Sequence, residues 1–269
     1  MLKRIKIQHS LQRYSLLITF LILSFMSLNS QANDNLKWQN SNYIMQAFAE
    51  IALKNEYRKT KGRVLKWHAP IHYQFKYHSI EKNTLVESLF NVHLKHLNSI
   101  TSHPIKESTS KTNLTIHLTQ DKHFANVIKN NTSSNVKNLE RDSHCMASFQ
   151  TNKKGEITQA QIVLPLDHVF SRGLLVACIV EESTQIMGLP NDSDWVHPSI
   201  ANDASKVELL TGLDYILLKI LYHPSLKAGD NMQQSTDTIK NIINSLQTSS
   251  EIKMAVDKVN NTGLFPLIN

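Results

Sequence analysis

The sequence is poor in the residues that interrupt or cross-link a chain. Its 269 residues include 7 glycines, 7 prolines and 2 cysteines, whereas 41% of them are apolar. This balance excludes an array of flexible linkers and indicates a packed globular protein. The sequence has no GxSxG segment, no phosphate-binding glycine loop and no CxxC pair. The common signatures of α/β-hydrolases, P-loop proteins and cysteine zinc sites are therefore missing.

The N-terminal residues have the three-part pattern of a secretory signal peptide. An apolar run spans residues 14–28, and a small-x-small site ends at Ala32. Four basic residues come before the run: Lys3, Arg4, Lys6 and Arg13. We therefore predict a signal segment over residues 1–32, cleaved after Ala32, and export to the periplasm or the medium. An uncleaved membrane anchor is the alternative, because the run is only a few residues short of spanning length.

The remaining residues, 33–269, are enough for a single domain and show no internal repeat and no second membrane span. The formal net charge of +7 falls to about +3 without the signal segment, which holds four basic residues and no acidic ones. A mild excess of this size gives no reason to expect a nucleic acid partner. The basic residues also form no stripe in the sequence.

Cys145 and Cys178 are the whole thiol inventory of the chain. Exported proteins fold in oxidising compartments, so we expect these two residues to form a disulfide. A reactive thiol is the alternative. It is poorly motivated, because Cys178 follows an apolar run with no cation within one turn, and such surroundings raise the pKa of a thiol.

Residues 178–192, CIVEESTQIMGLPND, carry the most informative pattern of the chain. The run over residues 174–180 that leads into them is apolar all round, which is typical of a helix buried on every side. Gly188 is expected to end this helix in a left-handed conformation, and Pro190 prevents its continuation.

Polar side chains appear abruptly in the second half of this helix. At 100° per residue, Glu182 and Gln185 lie on the helix face of Cys178, with Glu181 at the edge of that face. The pattern therefore predicts that a buried helix carries two carboxylates and one amide into the interior or into a cleft.

The spacing resembles that of metzincin zinc peptidases, whose motif is HExxHxxGxxH. In those enzymes three histidines hold zinc and the glutamate activates water. The three histidine positions are occupied here by Glu181, Gln185 and Asn191, whereas the glutamate and the glycine are kept as Glu182 and Gly188. The stretch thus resembles a degenerate zincin helix.

The chain resembles still more closely the bacterial domain of unknown function 2927 family. Recurring features of that family are a cysteine before an EExxQ helix, a GLxND turn, a PSI segment and a DxxLLxxLY helix. They occur here at Cys178, 181–185, 188–192, 198–200 and 214–222. The resemblance covers about residues 64–230 and implies a fold, since the family has no assigned activity.

Hydrophobic periodicity divides the rest of the chain into helices and strands. Helical spacing predicts helices over residues 42–57, 81–97, 121–129, 212–222 and 235–246. Alternation predicts strands over residues 63–78, 113–120, 145–150 and 157–165. Pro70 must then lie at the start of its strand or at a sheet edge. The last two strands flank the turn signal at Gly155 and are expected to form a hairpin.

A polar loop over residues 130–143 and a polar tail to Asn269 are predicted from composition. The element order favours the α+β class, with a mixed sheet packed by helices. It is similar to the order in the N-terminal half of a metzincin. We therefore predict a zincin-like domain with its core over residues 64–230 and a helical and polar part after 230.

Neutral amide oxygens such as those of Gln185 and Asn191 are poor zinc ligands, so we expect no zinc and no other cofactor. An oxygen-only set suits calcium or magnesium better. A divalent cation held by Glu181, Gln185 and Asn191, with help from Asp192 or Asp194, is therefore kept as a minor alternative.

Glu181 and Glu182 diverge by about 100° around the helix, which makes them a badly placed catalytic pair. One of them could pair instead with a carboxylate from elsewhere: Asp192, Asp194, Asp203 or Asp214. A structural reading is that both carboxylates are satisfied by neighbouring groups, because buried charges demand partners. The cations considered for this are Arg141, Arg172 and Lys206.

The 13 histidines are scattered. His93 and His96 have the i, i+3 spacing of helical metal ligands but no third ligand nearby, so His93 is interpreted as a core residue. His144, His197 and His223 lie close in sequence to the central helix or to Cys145.

The leading hypothesis is an exported zincin-like domain that has lost its metal and binds a peptide or a cell-envelope polymer. We predict that Gln185, Asn191, Asp192 and His197 bind this ligand beside Glu181 and Glu182. The first alternative is a hydrolase in which Glu182, and with it Glu181, is catalytic, Glu182 acting as general base. A purely structural envelope protein is the second.

Overall fold

A mixed β-sheet with helices packed around it makes up Ser41–Asn269 in the computed structural model, and Met1–Asn40 form a separate unit. The structure describes residues 37–54, 62–132 and 143–268. The predicted signal segment, the end of the first predicted helix and most of the predicted loop over 130–143 lie outside these residues. The described part of the first unit contains one 3-10 turn, Lys37–Gln39.

Six strands form the sheet in the residues that the structure describes. In chain order they are β1 (Lys66–Trp67), β2 (Ile71–Tyr77), β3 (Ile105–Glu107), β4 (Leu114–Thr119), β5 (Met146–Thr151) and β6 (Glu156–Pro165).

Helices connect and cover these strands. The described ones are α1 (Ser41–Leu53), α2 (Thr84–Thr101), α3 (Asp121–Asn131), α4 (Leu166–Ser171), α5 (Leu175–Gln185), α6 (Gly212–Leu221), α7 (Met232–Thr248), α8 (Glu251–Asn260) and α9 (Phe265–Ile268).

The strand order is β1-β6-β4-β2-β3, and every pair along this path is parallel. Ile116 of β4 lies at the centre, with Phe75 of β2 on one side and Ile162 of β6 on the other. Strand β5 departs from this order, because it runs antiparallel to β6 and pairs with no other strand that the structure describes. The expectation of a mixed sheet with helices around it is confirmed.

The predicted strand over residues 63–78 is divided into β1 and β2. Pro70 lies immediately before β2, as its missing N–H donor requires. Asn113 then holds the start of β2, since its Oδ1 accepts from His72 N at 2.7 Å and its Nδ2 donates to Pro70 O at 3.0 Å. The predicted hairpin of β5 and β6 is confirmed.

The C-terminal end of the chain corrects the expectation of a polar tail. It forms α8 and α9, and α8 buries Ile252, Ala255 and Val259 on one face. These residues have the i, i+3, i+7 spacing of a short amphipathic helix, which the polar residues around them obscure. Among the helices that the structure describes, none has the length and apolarity that a membrane crossing requires.

Three of the four buried histidines in the described part of the chain carry pKa values far below that of exposed imidazole. Burial lowers the pKa of His93 to about 3, and the neighbouring His96 lowers it further. Burial likewise lowers the pKa of His96 to about 4. Burial also lowers the pKa of His117 to about 4, although a hydrogen bond to Gln161 opposes the shift. His93 is thus the core residue that its place in the apolar pattern predicts.

We expect these histidines to make the protein sensitive to acid. The unfolded chain takes up protons on them near pH 6.5, whereas the folded protein does so only near pH 3 to 4. The stability they provide is therefore complete above about pH 6.5 and falls as the pH falls. Each histidine contributes a slope of at most about 1.4 kcal/mol per pH unit. Urea unfolding followed by circular dichroism between these pH values measures the total slope.

The variant His117→Gln should reduce this slope, because glutamine does not titrate. The matched control is His68→Gln, which replaces an exposed histidine and should leave the slope unchanged. An identical pH dependence in wild type and His117→Gln would contradict this explanation.

Candidate functional site

A cavity of about 300 Å³ lies between α5 and the beginning of β5. One wall is α5 itself, and the other is the segment that leads into β5. The lining residues are Ser143, His144, Cys145, Met146, Ala147, Leu174, Ala177, Cys178, Glu181, Glu182, Gln185, Asp192 and Asp203. Below, we refer to this cavity as the α5–β5 cleft.

Helix α5 presents one polar stripe to the cleft. Glu181 and Gln185 are half-buried, whereas Glu182 is 4% exposed although it lines the same cavity. The apolar sequence of α5 predicts a helix buried on every side. This prediction is wrong, because Val176 and Ala177 are also half-buried. Ala177, Glu181 and Gln185 are spaced four residues apart and all line the cleft, so they form a continuous stripe along one side of α5, whereas Val176 lines a different cavity.

Four of the six predicted catalytic or binding residues line the cleft: Glu181, Glu182, Gln185 and Asp192. Gln185 links the helix to the loop after it, because its Nε2 donates to Asp192 Oδ1 at 3.1 Å. Arg141, considered as a partner of the carboxylates, lies outside the described residues. The roles of the four lining residues in catalysis or binding remain predictions.

Asn191 and His197 do not line this cleft, and their predicted role in binding remains a prediction. Asn191 is 6% exposed, its N–H donates to Ile51 O at 3.2 Å, and its Nδ2 donates to Asp192 O at 2.7 Å. His197 is held by its backbone, since its N–H donates to Tyr43 Oη at 2.7 Å. Sequence spacing places both residues near α5, but Asn191 is buried with its side chain bonded to the backbone, and His197 is exposed.

The cysteines form the predicted disulfide, with a Cα–Cα distance of 5.9 Å. Cys145 stands immediately before β5, and Cys178 lies on α5. The bond therefore joins the two walls of the cleft directly.

Two side chains that line the cleft were not among the predicted binding residues. His144 Nδ1 lies 2.8 Å from Nε2 of His168. Burial lowers the pKa of His144, and the nearby His168 and Arg172 add to the shift. Burial raises the pKa of Asp203, as does the charge of Asp194. The only sequence feature that pointed to His144 as a site residue was its position next to Cys145.

Carboxylates and histidines do not converge into a metal site in the part of the chain that is described. No three residues among its histidines, cysteines, aspartates and glutamates are placed to hold one ion.

The model of a family described as a protein of unknown function, DUF2927, matches residues 41–241. This chain belongs to the DUF2927 family. No curated protein and no solved structure matches the chain.

The residues by which the sequence resembles the DUF2927 family have structural explanations. Asp214 of the DxxLLxxLY segment is 2% exposed and accepts hydrogen bonds from Ser199 Oγ at 2.6 Å and Ile200 N at 3.1 Å. It also accepts from N and Oγ1 of Thr211 at 2.8 and 2.9 Å, which completes the predicted capping box of α6. Asp214 thus ties the PSI segment to α6. It does not line the cleft that Glu181 and Glu182 share.

Burial raises the pKa of Asp214, and the hydrogen bonds from Ser199, Thr211 and Ile200 oppose this shift. All four donors reach a single buried carboxylate, so none of its hydrogen-bonding capacity is directed toward the cleft.

The glycine of the GLxND turn is required by its surroundings. Gly188 has a φ of +110°, and a methyl group there would overlap the carbonyl oxygen of Leu65. The chain just before it is held by two side chains. Trp67 Nε1 donates to Ile186 O at 2.8 Å, and Tyr222 Oη donates to Met187 O at 2.9 Å. These contacts fix the C-terminal end of α5 against the segment that enters β1.

We expect Gly188→Ala to destabilise the protein by more than about 3 kcal/mol, because the backbone of Leu65 must move to admit the methyl group. The matched control is Gly173→Ala. Gly173 also has a positive φ, of +70°, but nothing lies within 4 Å of the added methyl group. The control should cost only the conformational strain of about 1 to 2 kcal/mol. Urea unfolding of both variants measures the difference, and equal losses would contradict the proposed clash.

Proposed function

We propose that this protein is an exported, zincin-like domain without zinc that binds an extended peptide along strand β5, beside the polar stripe of α5. The observation that carries the proposal is the open edge of β5, the edge away from β6, which pairs with none of the strands in the described residues. A peptide can extend a sheet at such an edge through main-chain hydrogen bonds, while neighbouring side chains select its sequence.

The register identifies which β5 residues face that edge. Ala160 of β6 donates its N–H to Asn113 O at 2.8 Å, so its backbone groups point toward β4 and away from β5. Phe149 is the antiparallel partner of Ala160, so its own N–H and C=O point away from β6. Because strand residues alternate, the N–H and C=O of Ala147 point the same way.

The cleft lies where such a peptide would run. Ala147 lines it from the strand side, and Glu181, Glu182 and Gln185 line it from the helix side. The Cys145–Cys178 disulfide keeps the strand and the helix at a fixed separation. Main-chain pairing favours a peptide over a polysaccharide, because a sugar chain has no regular succession of N–H and C=O groups to offer an open strand.

The zincin-like interpretation is supported by the spacing of Glu182 and Gly188 and by the position of the motif helix beside the sheet. The absence of zinc is supported by the residues at the three metzincin ligand positions. Gln185 and Asn191 are amides, and Asn191, which does not line the cleft, donates its Nδ2 to the carbonyl oxygen of Asp192. The same placement of Asn191 weakens the proposal of a divalent cation held by Glu181, Gln185 and Asn191.

Export is supported by the basic and apolar pattern of residues 1–32. It is also supported by the disulfide, since such bonds persist mainly in oxidising compartments. We propose the periplasm or the medium as the location.

A phage-displayed random peptide library, selected on the purified protein, tests the proposal. We expect enriched peptides that bind wild type in fluorescence anisotropy and lose at least about tenfold in affinity for Ala147→Pro. Proline removes the outward N–H that a peptide would pair with, and an edge strand tolerates proline at such a position. Ala147→Val is the matched control, because it changes the side chain and keeps the N–H.

Equal binding of the enriched peptides to wild type and Ala147→Pro would overturn strand addition, as would a library without any enriched peptide. Unchanged thermal unfolding of Ala147→Pro shows that a loss of binding is local.

The hydrolase remains the second candidate because Glu182 is buried and yet lines the cleft. Cleavage of the selected peptides by wild type but not by Glu182→Gln would establish it in place of a pure binding role.

A further inference from the structure

A second and larger cavity, of about 940 Å³, shares no lining residue with the α5–β5 cleft. It lies where the segment around β1, the turn between β5 and β6 and the segment before α7 meet. Five basic and two acidic side chains line it: Arg63, Lys66, Lys153, Lys154, Lys227, Glu156 and Asp230. Below, we refer to it as the basic cavity.

The basic residues come from three distant parts of the sequence, and backbone contacts hold these parts together. Val64 N donates to Asp230 O, and Gly229 N donates to Val64 O, each at 2.8 Å. The turn between β5 and β6 packs on the same segment. A methyl group on Gly155 would lie 2.6 Å from Gly229 N. The basic side chains therefore project from closely packed backbone rather than from separate loops.

The cation at Lys66 is already used inside the protein. Its Nζ donates to Leu221 O at 3.1 Å and to Leu226 O at 2.5 Å, which satisfies carbonyls at and beyond the end of α6. Burial lowers the pKa of Lys66 to about 8, and the charge of Asp230 opposes the shift. Lys66 is thus a structural cation in the wall of the cavity.

Four other cations remain for a ligand. Within the described part of the chain, Arg63, Lys153, Lys154 and Lys227 take part in none of the ion pairs. Of the two acidic side chains, Glu156 accepts a hydrogen bond from Asn152 Nδ2 at 2.6 Å. Five basic side chains therefore share the cavity with two acidic ones, which gives it a net positive charge.

A helix terminus adds to this positive charge. Helix α7 begins at Met232, and its capping residues Asn231 and Gln234 both line the cavity. Its first turn contains no acidic residue that would neutralise the helix dipole. The N–H of Gln234 is already capped by Asn231 Oδ1 at 3.0 Å, so the contribution of this terminus is the positive end of the helix dipole, which favours anions.

We propose that the basic cavity binds a ligand that carries two or more phosphate groups. The four available cations surround a space of the size that small-molecule ligands occupy. Neighbouring phosphates match several cations and a helix N-terminus better than a single carboxylate does. The phosphates belong either to a soluble oligophosphate compound or to lipid headgroups, and the chemistry of recognition is the same.

Isothermal titration calorimetry at low salt tests this proposal, with inorganic tripolyphosphate and inorganic phosphate as probes. We expect saturable binding of tripolyphosphate, with markedly weaker binding of phosphate. The double variant Lys153→Gln/Lys154→Gln should bind tripolyphosphate at least about tenfold more weakly, because two phosphate contacts are lost. Both lysines are exposed in a turn, so the thermal unfolding midpoint should not change.

The matched control is Lys122→Gln/Lys129→Gln on α3. It removes the same charge from exposed positions outside the cavity. Its affinity should stay within about twofold of wild type. An equal loss in both double variants would mean that net charge alone is responsible and would overturn the proposal, as would a failure of tripolyphosphate to bind.

Sedimentation with phosphatidylglycerol vesicles, compared with phosphatidylcholine vesicles, separates the two sources of phosphate. Cosedimentation that Lys153→Gln/Lys154→Gln abolishes and tripolyphosphate competes away identifies lipid headgroups. Tripolyphosphate binding without cosedimentation identifies a soluble ligand. Either result depends on the basic cavity and is independent of peptide binding at β5.

Discussion

The structure depends on how α5 is fixed against the sheet. At one end, the Cys145–Cys178 disulfide joins the helix to the residue before β5. At the other end, Gly188 passes so close to Leu65 that no side chain fits between the two backbones. Hydrogen bonds from Trp67 and Tyr222 to the carbonyls of Ile186 and Met187 complete this second attachment. A covalent bond and a steric constraint thus hold the helix at two separate points.

These attachments explain why both proposed sites depend on the same framework. The disulfide sets the width of the α5–β5 cleft, since its two cysteines belong to opposite walls. Tyr222 binds the end of α5 through its hydroxyl, while its ring lines the basic cavity and lies 5.9 Å from the ammonium group of Lys66. The backbone that fixes α5 therefore also shapes the second cavity, although the two sites share no lining residue.

Local features of this fold could be predicted from the sequence. Alternation predicted the hairpin and every described strand except β3, helical spacing predicted most of the described helices, and the lone pair of cysteines predicted the disulfide. Motif spacing did not reveal that Asn191 and His197 stand outside the lining of the cleft, because it describes a helix well but not the path of the loop after it. Helical spacing missed α8 because three apolar residues, Ile252, Ala255 and Val259, are a weak signal among polar neighbours.

The edge of β5 and the basic cavity, on which the two proposals rest, could not be predicted from the sequence. Both depend on contacts between residues that are far apart in the chain. The open edge of β5 follows from strand order, which depends on contacts between distant residues. Arg63, Lys153 and Lys227 line the same basic cavity, although they are far apart in the sequence. No stripe of basic residues in the sequence predicts this cluster. The formal net charge thus describes the chain as a whole, but it does not show where basic side chains gather on the surface.

The most direct measurement of the central constraint is amide hydrogen exchange after loss of the disulfide, in a Cys145→Ser/Cys178→Ser variant. The bond closes a loop with a sequence separation of 33, so its loss should lower the free energy of unfolding by about 3 to 4 kcal/mol. Exchange should accelerate most in β5 and α5, while the central strand β4 keeps higher protection. Unchanged stability with unchanged exchange in β5 and α5 would show that the disulfide does not hold the cleft together.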